Sequence, residues 1–163
     1  MQRPTLIKLL LALAMLGLSG FFFLRFWREG DGVSDKSYFY DVSAGKLFTA
    51  PRTLIPPIKG PHGEELDGVR AVVISMTGNC DDASSHKVAY LEIYSPEFKK
   101  QMETAQATGG TPQIGRSEGM THRFVRRVKD KDWHPMNSAE AGQIVNEWAV
   151  PGPNGVTPVV CAP

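Results

Sequence analysis

The hydrophobic pattern divides the chain into two unlike parts. From Leu6 to Trp27 (LIKLLLALAMLGLSGFFFLRFW) apolar residues run with no polar face, and between Leu9 and Leu24 there is no charged residue. From residue 37 onward, apolar positions alternate with polar ones or recur at helical spacing, the pattern of a domain with its own interior. At about 1.5 Å per residue the uncharged run covers roughly 24 Å. With the flanking cations turning their charges outward, it stretches to the roughly 30 Å of a hydrocarbon core. The expectation is a transmembrane anchor over residues 1–28, a spacer over 29–36, an extracytoplasmic domain over 37–150 and a Pro/Gly-rich tail over 151–163.

Other readings of the first stretch fit less well. A cleaved signal peptide shares the basic start at Arg3 and Lys8, but the run ends in bulky Phe21 to Trp27, where a peptidase needs small residues. Ala12-Leu13-Ala14 has the small residues but lies too early for the cut. A buried helix of a globular core needs more chain around it than remains. Arg3 and Lys8 nearly balance Arg25 and Arg28, so the positive-inside rule favours an inward N-terminus only slightly. That orientation describes a single-pass bacterial inner-membrane protein with a periplasmic C-terminal domain, the membrane being reached through Leu6–Trp27.

In the second part, Ser37 to Val42 (SYFYDV) and Lys46 to Ala50 (KLFTA) read as the strands of a hairpin, with Gly45 where the turn needs positive φ. Pro51, Pro56, Pro57 and Pro61 make 51–68 a long connection, neither helix nor central strand. Val69 to Met76 and Lys87 to Tyr94 read as interior strands. In the latter, Ala89, Leu91 and Ile93 face one way and Val88, Tyr90, Glu92 and Tyr94 the other. Ser95-Pro96-Glu97 opens a helix with a cap, a first-turn proline and an acid, and Phe98, Met102 and Ala105 form its stripe. Thr121 to Val128 reads as a strand. Ser138 caps a second helix that buries Ala141, Ile144, Val145 and Trp148. The tail is irregular except around Thr157 to Val160. Strand–helix–strand units do not repeat. The expected fold class is α+β: an N-terminal transmembrane helix, then a small antiparallel sheet of about five strands with two helices packed on one face.

Charge changes the picture of partners. All 17 acidic residues lie at Glu29 or beyond, with 14 of the 18 Lys/Arg, which leaves that part at −3 with histidine neutral. Such a balance argues against nucleic acid as a partner. Cys80 and Cys161 are the only cysteines. In an oxidising compartment they would pair and tie the tail to the middle of the domain, for roughly 4 kcal/mol; two unrelated thiols are the alternative. No Cys-x-x-Cys or haem-attachment pattern is present, and no metal, cofactor or catalytic residue is assigned.

Four local patterns carry chemistry weakly. Gly115-Arg116-Ser117-Glu118-Gly119 matches G-x-S-x-G, and Gly110 to Ser117 nearly matches a phosphate-binding loop with Arg116 in place of lysine. A nucleophile elbow needs a strand before it and a helix after it; here the order is reversed, which favours a flexible connector over a nucleophilic Ser117. Asp81-Asp82 with His86 could meet a cation, but reads more readily as a solvated loop. Arg123, Arg126 and Arg127, continued by Lys129 and Lys131, form a basic strand, either a surface for an acidic partner or a charged edge that discourages sheet pairing. Tyr38, Tyr40, Tyr90 and Tyr94 form either a surface patch or cross-strand core packing.

The residues Tyr38-Phe39-Tyr40-Asp41, Gly45-Lys46-Leu47-Phe48, Pro56-Pro57-Ile58, Gly68-Val69-Arg70-Ala71, Cys80 and Tyr90-Leu91, with Trp133-His134-Pro135 and the Ser138 helix, resemble a group of short single-pass proteins of planctomycete-like bacteria. The resemblance spans roughly residues 37 to 95 and implies no activity. Pseudopilins share the order of an apolar helix followed by a small sheet domain. Their helix runs on into the domain, whereas Gly30 and Gly32 here break it. The functional expectation is a non-enzymatic, membrane-anchored interaction or accessory subunit of an envelope complex. A pilin-like assembly subunit and a small envelope hydrolase using Ser117 are the alternatives.

Overall fold

A computed structural model describes residues 3–29, 34–152 and 155–163. The chain separates into two compact units, Met1–Val33 and Ser34–Pro163. The first is a single helix, α1 (Arg3–Glu29), without a core of its own: Leu11, Leu16, Phe22 and Phe26 are all exposed.

Among the described residues no helix is long and apolar enough to cross a membrane. This corrects the transmembrane anchor expected over Leu6–Trp27 and the single-pass inner-membrane placement with a periplasmic domain. The physical shortfall lies between Lys8 and Arg25, which confine the uncharged run to roughly 24 Å, while a hydrocarbon core needs roughly 30 Å. Gly17, Ser19 and Gly20 dilute the apolar run further. The helix break expected at Gly30 and Gly32 lies outside the described residues.

The second unit is α+β. Hairpin strands β1 (Lys36–Asp41) and β2 (Lys46–Pro51) precede β3 (Gly68–Ser75) and β4 (His86–Tyr94). Then follow α2 (Pro96–Thr108), a one-turn helix α3 (Arg116–Gly119), β5 (Arg123–Arg126), β6 (His134–Pro135), α4 (Ala139–Asn146) and β7 (Val159–Cys161). The sheet is seven-stranded and antiparallel, ordered β2-β1-β3-β4-β5-β6, with β7 also paired to β3. One side of β3 is therefore shared: Gly68–Arg70 pair with β1 and Val73–Ser75 with β7.

Local chemistry explains most boundaries. Gly45 and Gly109 adopt φ of 66° and 68°, closing the hairpin turn and the C-terminus of α2. The Ser95 and Ser138 hydroxyls accept the N–H groups of Phe98 and Ala141 at 3.2 and 3.1 Å, capping α2 and α4. The sheet has seven strands rather than the five or so expected, because the short β6 and β7 join it by pairing with β5 and β3. In addition, α3 adds a one-turn helix to the two expected in the domain. Two local features also depart from expectation. Met120–His122 form a 3-10 turn, so the strand expected from Thr121 begins at Arg123. The β3–β4 register jumps from Val72↔Tyr90 to Val73↔Val88, which leaves Ala89 as an extra residue on β4. A bulge breaks alternation, so Ala89 packs with Tyr90, while Val88 packs on the other side with Leu91.

The register sorts the two faces. Phe39, Arg70, Glu92 and Val125 stand opposite one another across the strands and share one face. There α4 lays Ala141 and Ile144, 0% and 1% exposed, on Tyr90 and Val125. Arg70 donates to the Arg52 and Leu54 carbonyls at 3.0 and 2.9 Å, which holds the 52–57 segment over this face. The α2 helix sits on that segment: Lys99 Nζ donates to the Ile55 and Pro57 carbonyls at 2.6 and 2.7 Å. The opposite face buries Val69, Ala71, Val73 and Leu91 beneath Tyr38, Tyr40, Val128 and Trp133.

Candidate functional site

The three arginines proposed from the sequence are engaged within the domain. Arg123 lies 3.3 and 3.4 Å from the two carboxylate oxygens of the buried Glu92 and over the Tyr94 ring. Arg126, 8% exposed, stacks 4.7 Å from the Trp133 ring and donates to the Asp130 carbonyl. Arg127 forks onto Glu147 at 2.7 and 2.5 Å and reaches Asp130 at 3.1 Å. Hydrogen bonding to Glu147, then to Asp130, raises the Arg127 pKa above its ordinary value. These guanidinium groups brace β5 against its neighbours.

The four tyrosines divide between the faces. Tyr38 and Tyr40 pack over Val69 and Ala71. Tyr90 belongs to the α4 side, and burial, helped by the Glu92 charge and opposed by Arg123, pushes its hydroxyl up to about 12. Tyr94 meets Phe98 edge-on at 5.6 Å.

Ser117 is exposed on α3, with a loop before it and a 3-10 turn after it. The serine that meets a histidine is Ser95, whose Oγ is 2.9 Å from His122 Nδ1. Oγ also accepts the Phe98 N–H, and it meets the ring through its proton or its second lone pair according to the imidazole tautomer. The next residue is Pro96, which has no N–H. Ser95 caps α2 with the His122 ring behind it. Their 27-residue separation gives no sequence signal. Asp82 Oδ1 takes the N–H and hydroxyl of Ser84, and His86 Nε2 lies 3.0 Å from the Cys80 carbonyl. Among the described residues no group of three or more His, Cys, Asp or Glu side chains is placed to hold a metal.

Cys80 and Cys161 are joined in a disulfide, which fastens β7 to the Asn79–Asp82 turn across 81 residues. A second lock is Asp41, fully buried at the end of β1. Its Oδ1 accepts Ala44 N–H at 2.9 Å and the Ser43 hydroxyl at 3.1 Å, and its Oδ2 accepts His62 N–H at 3.3 Å. The Ala44 bond is the main cause holding the Asp41 carboxyl below its ordinary pKa; burial opposes it, and Ser43 and His62 add to it. Asp67 completes the lock by accepting Ser43 N–H at 2.9 Å.

A shallow groove of ≈ 340 Å³ runs beside α2 between Lys100, Thr104, Thr108 and Gln113. Its polar lining is largely engaged: Thr104 and Thr108 donate to helix carbonyls at 2.8 and 2.9 Å, and Gln101 accepts the Ile114 N–H at 3.1 Å.

The sheet edge at β2 differs from these sites because its backbone groups are open. Arg52 N–H donates to Asp35 O at 2.8 Å, one step beyond Lys36↔Pro51, and this fixes the phase of the β1–β2 ladder. Antiparallel pairs alternate between bonded and non-bonded. Ser37/Ala50 are non-adjacent to Asp35/Arg52 by two positions, so they, Phe39/Phe48 and Asp41/Lys46 are bonded pairs. Tyr38/Thr49 and Tyr40/Leu47 are not. Leu47 and Thr49 therefore aim both N–H and C=O away from β1, at an edge with no further strand among the described residues. Lys46, Leu47, Thr49 and Pro51 are exposed. The sequence marked this segment as a hairpin strand but not as the edge, since strand order depends on β3 entering beside β1. Comparison with protein-family models, with curated proteins and with solved structures finds no match to this chain.

Proposed function

We propose that this chain is a non-enzymatic interaction domain that engages a partner protein through the open edge of β2. The observation that supports the reading is the pair of outward N–H and C=O sets at Leu47 and Thr49. An extended segment can complete such a ladder, its side chains alternating between the Leu47 and Phe48 faces. Cys80–Cys161 and the Asp41 lock make the edge rigid, which lowers the ordering cost of adding a strand.

The test is replacement of Thr49. Thr49→Pro removes an outward N–H while leaving the β1–β2 bonds in place; Thr49→Val keeps the N–H. With the full-length chain as bait, one protein should co-purify in fixed stoichiometry with wild type and Thr49→Val and be lost with Thr49→Pro. Equal recovery by all three, or recovery by none, contradicts the reading.

A further inference from the structure

We infer that the strand received by β2 is β2 of a second copy of this chain, an inference that rests on the edge reading above. A two-fold axis through Phe48 sets two β2 strands antiparallel, with Leu47 of each copy opposite Thr49 of the other. These are the residues whose N–H and C=O groups point outward, so each cross-pair exchanges two hydrogen bonds and no edge group between them is left over. A two-fold axis of this kind needs a self-complementary strand.

The side chains and charges agree with that register. Lys46 comes opposite Ala50 of the second copy, so the one charged residue of β2 does not face its own image. Phe48, stacked 5.8 Å from Phe39, meets Phe48 of the second copy and carries the aromatic stack across the joint. Leu47 and Thr49 lie side by side on the opposite face. Pro51 offers no N–H, so the ladder stops at the strand's end. Pairing consumes the β2 edge, and the other edge strands among the described residues, β6 and β7, are only two and three residues long, so assembly closes at two copies rather than growing.

The test uses the full-length chain. Light scattering across a dilution series should give a dimer for wild type and Thr49→Val, with the dissociation constant raised about tenfold or more by Thr49→Pro. Should Thr49→Pro fail to fold, register decides instead: mixed Leu47→Cys and Thr49→Cys chains should crosslink to each other in preference to themselves, the opposed Cα atoms being about 5.5 Å apart. A monomeric wild type overturns the inference. If that monomer still captures a Thr49-dependent protein, the edge reading survives with a different occupant; if it captures none, both fall. A dimer indifferent to Thr49→Pro that gives no mixed crosslink also overturns it, placing the contact elsewhere.

Discussion

Asp41 shows how a single side chain joins segments that the sequence keeps far apart. As a turn residue next to Gly45 it is legible, because Asp in such turns accepts nearby N–H groups. Its bond to His62 N–H, 21 residues on, is not legible: the 58–68 loop must first be folded back by the Ile58↔Gly68 bridge. Because the folded carboxyl titrates below its ordinary value, its contribution is fully present above about pH 4 and is lost as pH falls through the lower folded value. Asp41→Asn should therefore lower the thermal midpoint at neutral pH and flatten its fall on acidification, measured by circular dichroism from pH 7 to 2. Gly60 tests the same lock sterically. A Cβ there would stand 2.5 Å from Asp41 Oδ2, so Gly60→Ala should cost about 1–3 kcal/mol in urea unfolding.

At the scale of elements, whatever depends on neighbouring residues was readable and whatever depends on distant ones was not. The Ser95 and Ser138 caps, the hairpin and the α4 stripe follow from residues within one or two turns of each other. The bulge at Ala89 was hidden because one inserted residue leaves the apolar pattern of β4 intact while turning Val88 to the other face. β6 was missed as a strand and β7 was marked only as the regular part of the tail around Thr157 to Val160, because two or three residues beside prolines carry no periodicity; the ladders with β5 and β3 define them. Packing gives a direct prediction for α4. Ile144→Ala, at a site 1% exposed, should cost about 2–5 kcal/mol, read from denaturant midpoints. On α2, Lys99→Met keeps the stem but removes the donor to Ile55 and Pro57. It should loosen the 52–57 segment, seen as faster proteolysis there with α4 unaffected.

At the scale of the whole molecule, the apolar helix and the sheet domain raise separate questions. Residue content made α1 resemble a membrane anchor; among the described residues no helix is long and apolar enough to cross a membrane. In the domain, the Cys80–Cys161 bridge closes a loop of 81 residues, and replacing both cysteines with serine should cost roughly 4 kcal/mol by chain entropy, measured against the oxidised wild type. The candidate site was the least legible feature. Arginine content pointed to β5, where the side chains also meet Glu92, Asp130, Trp133 and Glu147. The open groups at β2 are backbone atoms and leave no compositional trace. Amide hydrogen exchange at single-residue resolution therefore tests the account most directly, with the full-length chain at low and high concentration and with any Thr49-dependent partner. Phe48, bonded to Phe39, should exchange slowly throughout, while Leu47 and Thr49 should pass from fast to slow as the edge is filled. Leu47 and Thr49 amides that stay fast under every condition, or are already slow in the dilute monomer, would contradict it.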